Sequence, residues 1–205
     1  LNDDWSFENQ FLKLNSKPLL NAYDHTVNSF FWKKKFSKDI LDFFLLKKLS
    51  FYKIINIFKY IEYLFFFRGP KKHHKLKVSK KNLVNKEISI DNILKNKKNI
   101  LLKIDIEGDE YKILNNISKN SLKISCLIIE FHFIQQKLKK IYDFVDKTKN
   151  LKIAHIHANN VAGVDKYGIP LALEITFINS NLIETDKKKN LQNYPIYKID
   201  YPSVK

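Results

Sequence analysis

A chain of 205 residues is long enough for one well-buried α/β domain and short for two. Its net charge is +16 at pH 7, yet Arg68 is the sole arginine among 37 basic residues. That argues against dedicated nucleic-acid binding, because base and phosphate recognition favours the planar guanidinium.

One cysteine, Cys126, excludes a disulfide framework and suits a buried, reduced thiol in a cytoplasmic setting. No methionine occurs, even at position 1, so the sequence is expected to start inside its gene or to have been processed. Asn2, Asp3 and Asp4 stand where a signal peptide would carry basic and apolar residues.

Taken in chain order, the pattern predicts a helix over about 6–14, then a short strand within Pro18–Asp24 that ends in an acid. From Phe36 to Phe67 the chain is rich in Phe, Leu, Ile and Tyr. Lys47, Lys48, Lys53, Lys59 and Glu62 interrupt it, so no apolar run of the roughly 18 residues needed to span a membrane survives. Two helices broken near Ser50 are expected, with Leu41, Phe44, Leu45, Ile54, Ile57, Phe58 and Ile61 as packing faces. Three uses are open for this insertion: core packing, a cap over substrate, or peripheral contact with a membrane surface. Gly69-Pro70 ends it.

Lys71 to Lys86 is basic and expected to be irregular, with a solvated His73-His74 pair. Ile88 to Leu94 reads as a strand running into a short helix capped by Ser89 or Asp91. Leu101, Leu102, Ile104 and Ile106 form an apolar strand that delivers acids at its carboxyl end. Gly108 breaks it, Asp109 and Glu110 suit a helix start, and Ile113, Leu114 and Ile117 follow at helical spacing. Further strands are expected over Cys126–His132, Leu151–His157 and Leu171–Ile178, with a helix over about 135–147.

Strand alternation groups Lys103, Asp105 and Glu107 on one face. Likewise Glu130 and His132 fall with Cys126 and Ile128, and His155 and His157 with Ile153. Each strand turns polar only at its carboxyl end, which predicts a shared cleft at three adjacent strand ends. Methyl transfer could use it, with His132 or His157 as base oriented by Asp105 or Glu130. A divalent metal is the second chemistry, although no spacing matches a strong metal motif and no residue is assigned as a ligand. Mutually satisfied structural polar groups are the third. Asn159 and Asn160 suit either an acceptor's hydroxyls or a tight turn. Glu174, sharing a face with Thr176, is a weaker candidate.

The run Lys103-Ile104-Asp105-Ile106-Glu107-Gly108 resembles the K-[IV]-D-[IV]-E-G signature of FkbM-like S-adenosylmethionine-dependent methyltransferases and related methyltransferase-like domains. Three segments agree in order: Asp3-Asp4-Trp5-Ser6-Phe7-Glu8, Ile129-Glu130-Phe131-His132 and His157-Ala158-Asn159-Asn160. The resemblance implies an α/β fold: a Rossmann-like class I methyltransferase sheet, mostly parallel and flanked by helices. Residues 1–205 would form a single domain with a helical, aromatic-rich insertion at about 36–67. With four glycines and none before Gly69, the first strand and its glycine loop are expected to be absent from these residues.

The implied cofactor is S-adenosylmethionine. Asp24 would bind its ribose, Asp3 and Asp4 would lie near its methionine end, and Asp105 would contact it. Asp105, Glu130, His132 and His157 are the implied catalytic residues, and Glu107, Asn159 and Asn160 would face the acceptor. The expected reaction is O-methylation of a small polar or glycan-like molecule. Two alternatives stand beside it: a metal-dependent hydrolase using the same cluster, and a noncatalytic basic binding module.

Overall fold

The computed structural model describes residues 4–15, 19–45, 51–159, 161–183, 196 and 200; for residues 39–40, 42–45 and 51–57 it describes the backbone alone. The chain divides into two compact units. One comprises Leu1–Val78 with Leu83–Ile88, the other Ser79–Asn82 with Ser89–Lys205.

The first unit opens with α1 (Ser6–Leu14), whose start is braced by Asp4 Oδ1 accepting the Ser6 N–H at 2.8 Å. Strand β1 (Leu20–Tyr23) is joined to β2 (Lys71–His74) through α2 (Ser29–Leu45) and α3 (Phe51–Phe66). The two strands pair in parallel, with Tyr23 in register with His74. Parallel neighbours need a long crossover, and the aromatic helices supply it. Their start is earlier than expected, at Ser29, and Phe44, Leu45, Ile54 and Ile57 lie outside the described side chains.

The core of this unit is Trp5, Val27, Trp32, Tyr63 and Phe66. Its rings meet edge-to-face and offset: Trp5 and Phe66 lie 5.9 Å apart, Trp32 and Tyr63 5.1 Å. Among the described side chains of α3, the packing face is therefore Tyr63 and Phe66. Leu41, Phe58 and Ile61, expected inside, are exposed.

The irregular reading of residues 71–86 is also corrected. Lys71–His74 is β2, and β3 (Lys77–Ser79) pairs with β4 (Glu87–Ser89). Both histidines are half-buried instead of solvated. His73 Nε2–H donates to the Asp24 carbonyl at 2.9 Å, which leaves Nδ1 to accept the Tyr63 hydroxyl at 2.6 Å. His74 stacks on Tyr23 and contacts Asn21 Oδ1 at 3.0 Å.

The second unit holds a four-stranded sheet in the order β5 (Ile100–Ile104), β6 (Ile124–His132), β8 (Ala172–Asn179), β7 (Leu151–Ala158). Before it, α4 (Ile90–Ile93) is capped by Ser89 Oγ, which accepts the Asn92 N–H. Helix α5 (Glu110–Asn120) links β5 to β6, and α6 (Ile134–Lys147) links β6 to β7. Leu127, Ile129, Phe131, Ile175 and Phe177 are buried on one face. Tyr111 of α5 meets Phe131, and Phe144 of α6 meets Phe177, both at 5.7 Å. Ile113, Leu114 and Ile117 are buried as the helical spacing predicts.

The expected mostly parallel sheet is mixed. Strand β5 pairs in parallel with β6, but β8 runs antiparallel to both β6 and β7. The β7–β8 connection, residues 159–171, has no helix among its described residues and carries a Val164–Pro170 bridge, and antiparallel neighbours need no helical crossover. The three carboxyl ends predicted to be adjacent therefore share one edge, with β8 inserted between β6 and β7. A register shift between Ile153 and His155 makes a second correction. Ile153 pairs with buried Phe177, whereas His155 and His157 pair with Thr176 and Glu174 on the opposite face.

Candidate functional site

Strand β5 stops at Ile104, and Asp105 and Ile106 lead into a tight turn at Glu107-Gly108. Both turn residues have positive φ, +54° at Glu107 and +99° at Gly108. Glycine takes such a backbone freely, but a glutamate there is uncommon. An added Cβ on Gly108 would also meet the Phe133 ring at 2.7 Å.

Glu110 organises this turn. Its side chain is fully buried, and Oε1 accepts the N–H of Gly108 at 2.9 Å and of Ile106 at 3.3 Å. The same oxygen lies 3.0 Å from His132 Nδ1. An acceptor already serving two amides fixes that nitrogen as the donor, so the His132 lone pair resides on Nε2. Among the described residues, Glu110 Oε2 is buried with no hydrogen-bond partner. A bare buried acceptor is costly, which marks the site as one with unused bonding capacity.

Around His132 Nε2 stand Glu107 at 3.4 Å and Glu130 at 3.9 Å. One donor atom each from Asp105, Glu107 and His132 lie within 4.8 Å of one another. Burial pushes the Glu130 carboxyl above its usual range, while a 2.6 Å bond from Asn159 Nδ2 works against that rise. The Tyr111 hydroxyl donates to the His132 carbonyl at 2.6 Å and fixes the strand end. Burial, with Glu110 nearby, pushes the Tyr111 pKa up to about 12, so it remains a donor.

Asp105, Glu107, Glu130, His132 and Asn159 are thus brought together. Asn159 takes the turn role, its Oδ1 accepting the Val161 and Ala162 N–H groups, while its Nδ2 donates to Glu130 Oε1. His157 is not part of this group. It is in register with Glu174, which is in register with Glu130, placing it two strands or about 10 Å away. Its Nδ1 instead lies 2.8 Å from Asp200 Oδ1, as does His155 Nε2. Burial alone would raise the Asp200 carboxyl, but bonds from His157, the Ile196 N–H and His155 hold it below the usual range.

Asp24 and Asp4 belong to the first unit. Asp24 stands just past the carboxyl end of β1, with Oδ1 accepting the Thr26 N–H and hydroxyl at 2.7 and 2.6 Å. Asp4 braces α1, as described above. Asp3 and Asn160 lie outside the described residues.

Sequence reasoning placed Glu110 at a helix start but missed its bond to His132, which it had sought from Asp105 or Glu130. Asp200 was missed altogether, with no local pattern to find it. The first unit also holds a cavity of about 220 Å³ lined by Trp32, Tyr60, Tyr63, Phe67 and His73. No described helix is long and apolar enough to cross a membrane.

No curated protein matches the chain, and no solved structure does. Asp24, His157 and Asn159 fall outside the segment that a family model recognises. Residues 61–152, which hold the Lys103–Gly108 signature, Glu110, Glu130 and His132, match the model described as the methyltransferase FkbM domain, so the resemblance carried by the signature is borne out over this segment.

Proposed function

We propose that the protein transfers a methyl group from S-adenosylmethionine to a hydroxyl oxygen on a small polar or glycan-like acceptor. In this reading residues 1–205 act as one domain on a Rossmann-like sheet. The observation that carries it is the Glu110–His132 pair at the carboxyl edge of β5 and β6, with Nε2 turned toward Glu107 and Glu130. In open α/β sheets, ligands sit beyond that edge.

Bound S-adenosylmethionine would supply an electrophilic methyl on a positively charged sulfonium. The residues present suit such a donor: Asp105, Glu107 and Glu130 gather acidic groups in a chain whose net charge is +16. His132 Nε2 would accept the acceptor's hydroxyl proton while Glu110 keeps the ring in the needed tautomer and stabilises the imidazolium. Glu107, Asn159 and Asn160 would hold the acceptor's other hydroxyls, and alignment itself would supply much of the acceleration. Asp24 would bind the two ribose hydroxyls, a task suited to a carboxylate because it accepts from a vicinal diol. Asp3 and Asp4 would lie near the methionine end.

Calorimetric titration of S-adenosylhomocysteine tests the reading. Binding by the wild type, lost in Asp24→Ala and kept in His132→Ala, is the expected result. A folded wild type that binds none removes the cofactor assignment. The Asp105–Glu107–His132 grouping favours metal-dependent hydrolysis as a second reading, which predicts activity abolished by chelator and indifferent to the methyl donor.

A further inference from the structure

We propose that His155, His157 and Asp200 form a binding site for a divalent transition cation of the zinc type. Their donor atoms, one per residue, all lie within 4.8 Å of one another, and all three side chains are largely shielded from solvent. The site stands apart from the Glu110–His132 pair and takes up His155 and Asp200, to which the methyl-transfer reading gives no task.

Three features converge on it. The register shift after Ile153 re-aims the strand, so that His155 and His157 share the face of Thr176 and Glu174. Bulges of this kind are recurrent devices for aiming side chains at sites. Asp200 then brings a carboxylate from 43 residues further along the chain to both imidazoles. Its second oxygen accepts the Ile196 N–H, a contact that fixes the carboxylate's orientation as hydrogen bonds to metal ligands do.

The donor set selects the ion. Two imidazole nitrogens with one carboxylate oxygen suit zinc and its first-row neighbours, whereas magnesium and calcium prefer oxygen alone. Three protein ligands leave a fourth position for water or an anion. Without metal, Oδ1 accepts from both rings at 2.8 Å. Ligands at about 2.1 Å from a tetrahedral ion are about 3.4 Å apart, so Asp200 need withdraw by only roughly half an ångström. To bind the ion, each neutral imidazole moves its single proton from the nitrogen facing Asp200 to the far nitrogen and gives the freed lone pair to the metal.

The competing grouping, Asp105–Glu107–His132, is the poorer cage. Glu107 is 85% exposed, and His132 already spends Nδ1 on Glu110. Exposed carboxylates are commonly solvated without an ion.

Zinc titrated calorimetrically into chelator-stripped protein provides the test. The expected result is one ion per chain, with affinity lowered on the order of 100-fold by Asp200→Asn and by His157→Gln, and unchanged by Asp105→Asn. Cobalt(II) bound to the wild type should give the intense d–d bands of a four-coordinate site, a readout that needs no variant to fold. A folded wild type that takes up no stoichiometric zinc or cobalt overturns the proposal. So does zinc affinity equal in Asp200→Asn and wild type, or lost in Asp105→Asn alone. If Asp200 serves only to clamp its segment, Asp200→Asn lowers the melting temperature equally with and without zinc, which also overturns it.

Discussion

The unit built on α2 and α3 buries rings, and the unit built on the β5–β8 sheet buries mainly branched aliphatics. Trp5, Trp32, Tyr63 and Phe66 make up most of the first core, while Phe30, Phe36, Phe58 and Phe65 of the same unit remain exposed. In the sheet unit, Leu127, Ile129, Ile175 and Ile113 are shut away and the polar groups collect on the opposite face and at the strand ends. The contrast teaches that a high aromatic content does not by itself make a large core. Rings need partners at specific angles, and helices around short strand pairs offer few such places. A four-stranded sheet with two helices on one face closes a continuous apolar layer and leaves its rim free for chemistry.

If the rim of the sheet unit carries the reaction, the largest effect should fall there. His132→Ala should lower the methylation rate by roughly 10²–10⁴-fold. Glu110→Gln should lower it by about 10²-fold with a shifted pH–rate profile, because an amide can present the wrong donor to Nδ1. An unchanged pH–rate profile in both variants would take His132 out of the base role.

The contrast in packing sharpens through a matched pair. Phe177→Ala should cost about 3–5 kcal/mol, since it empties a fully buried ring site against Phe144. Phe58→Ser, at a residue 58% exposed, should stay within about 0.5 kcal/mol. Denaturant unfolding reads both. A cost above about 2 kcal/mol for Phe58→Ser would mean that the outer aromatics are packed in solution.

The smallest effect concerns pH and the first unit. Burial lowers the His73 pKa below its ordinary value of 6.5. The unfolded chain then binds the proton at higher pH than the folded one, so stability falls as pH drops below 6.5 toward the folded value. Protonation also removes Nδ1 as the acceptor for Tyr63. His73→Gln should flatten this part of the stability–pH curve, and a slope identical to that of the wild type would assign it to other groups.

Much of this architecture was legible beforehand, and the limits follow a single physical line. Helices α1, α5 and α6 and strands β1, β5, β6 and β7 were readable because apolar periodicity is local and records which face is buried. The Lys103–Gly108 signature announced the turn and its acids, and Ser89 announced a cap. What the sequence left open was set by partners distant along the chain. Strand β2 lies in a lysine-rich run with no strand pattern, and exists because β1 pairs with it across the two helices. The place of β8 between β6 and β7 follows from hairpin return, which periodicity does not encode.

The same holds for the chemistry. Local pattern named Asp105, Glu130 and His132 as neighbours at strand ends. Only the folded turn, with Glu107 in a left-handed backbone, brought Glu110 beneath His132. Only the register shift after Ile153 and the approach of Asp200 separated His157 from that pair. Composition and periodicity thus determined which segments are helix or strand and which ends are polar. Tertiary pairing decided which polar groups touch, because those contacts are made between backbones tens of residues apart.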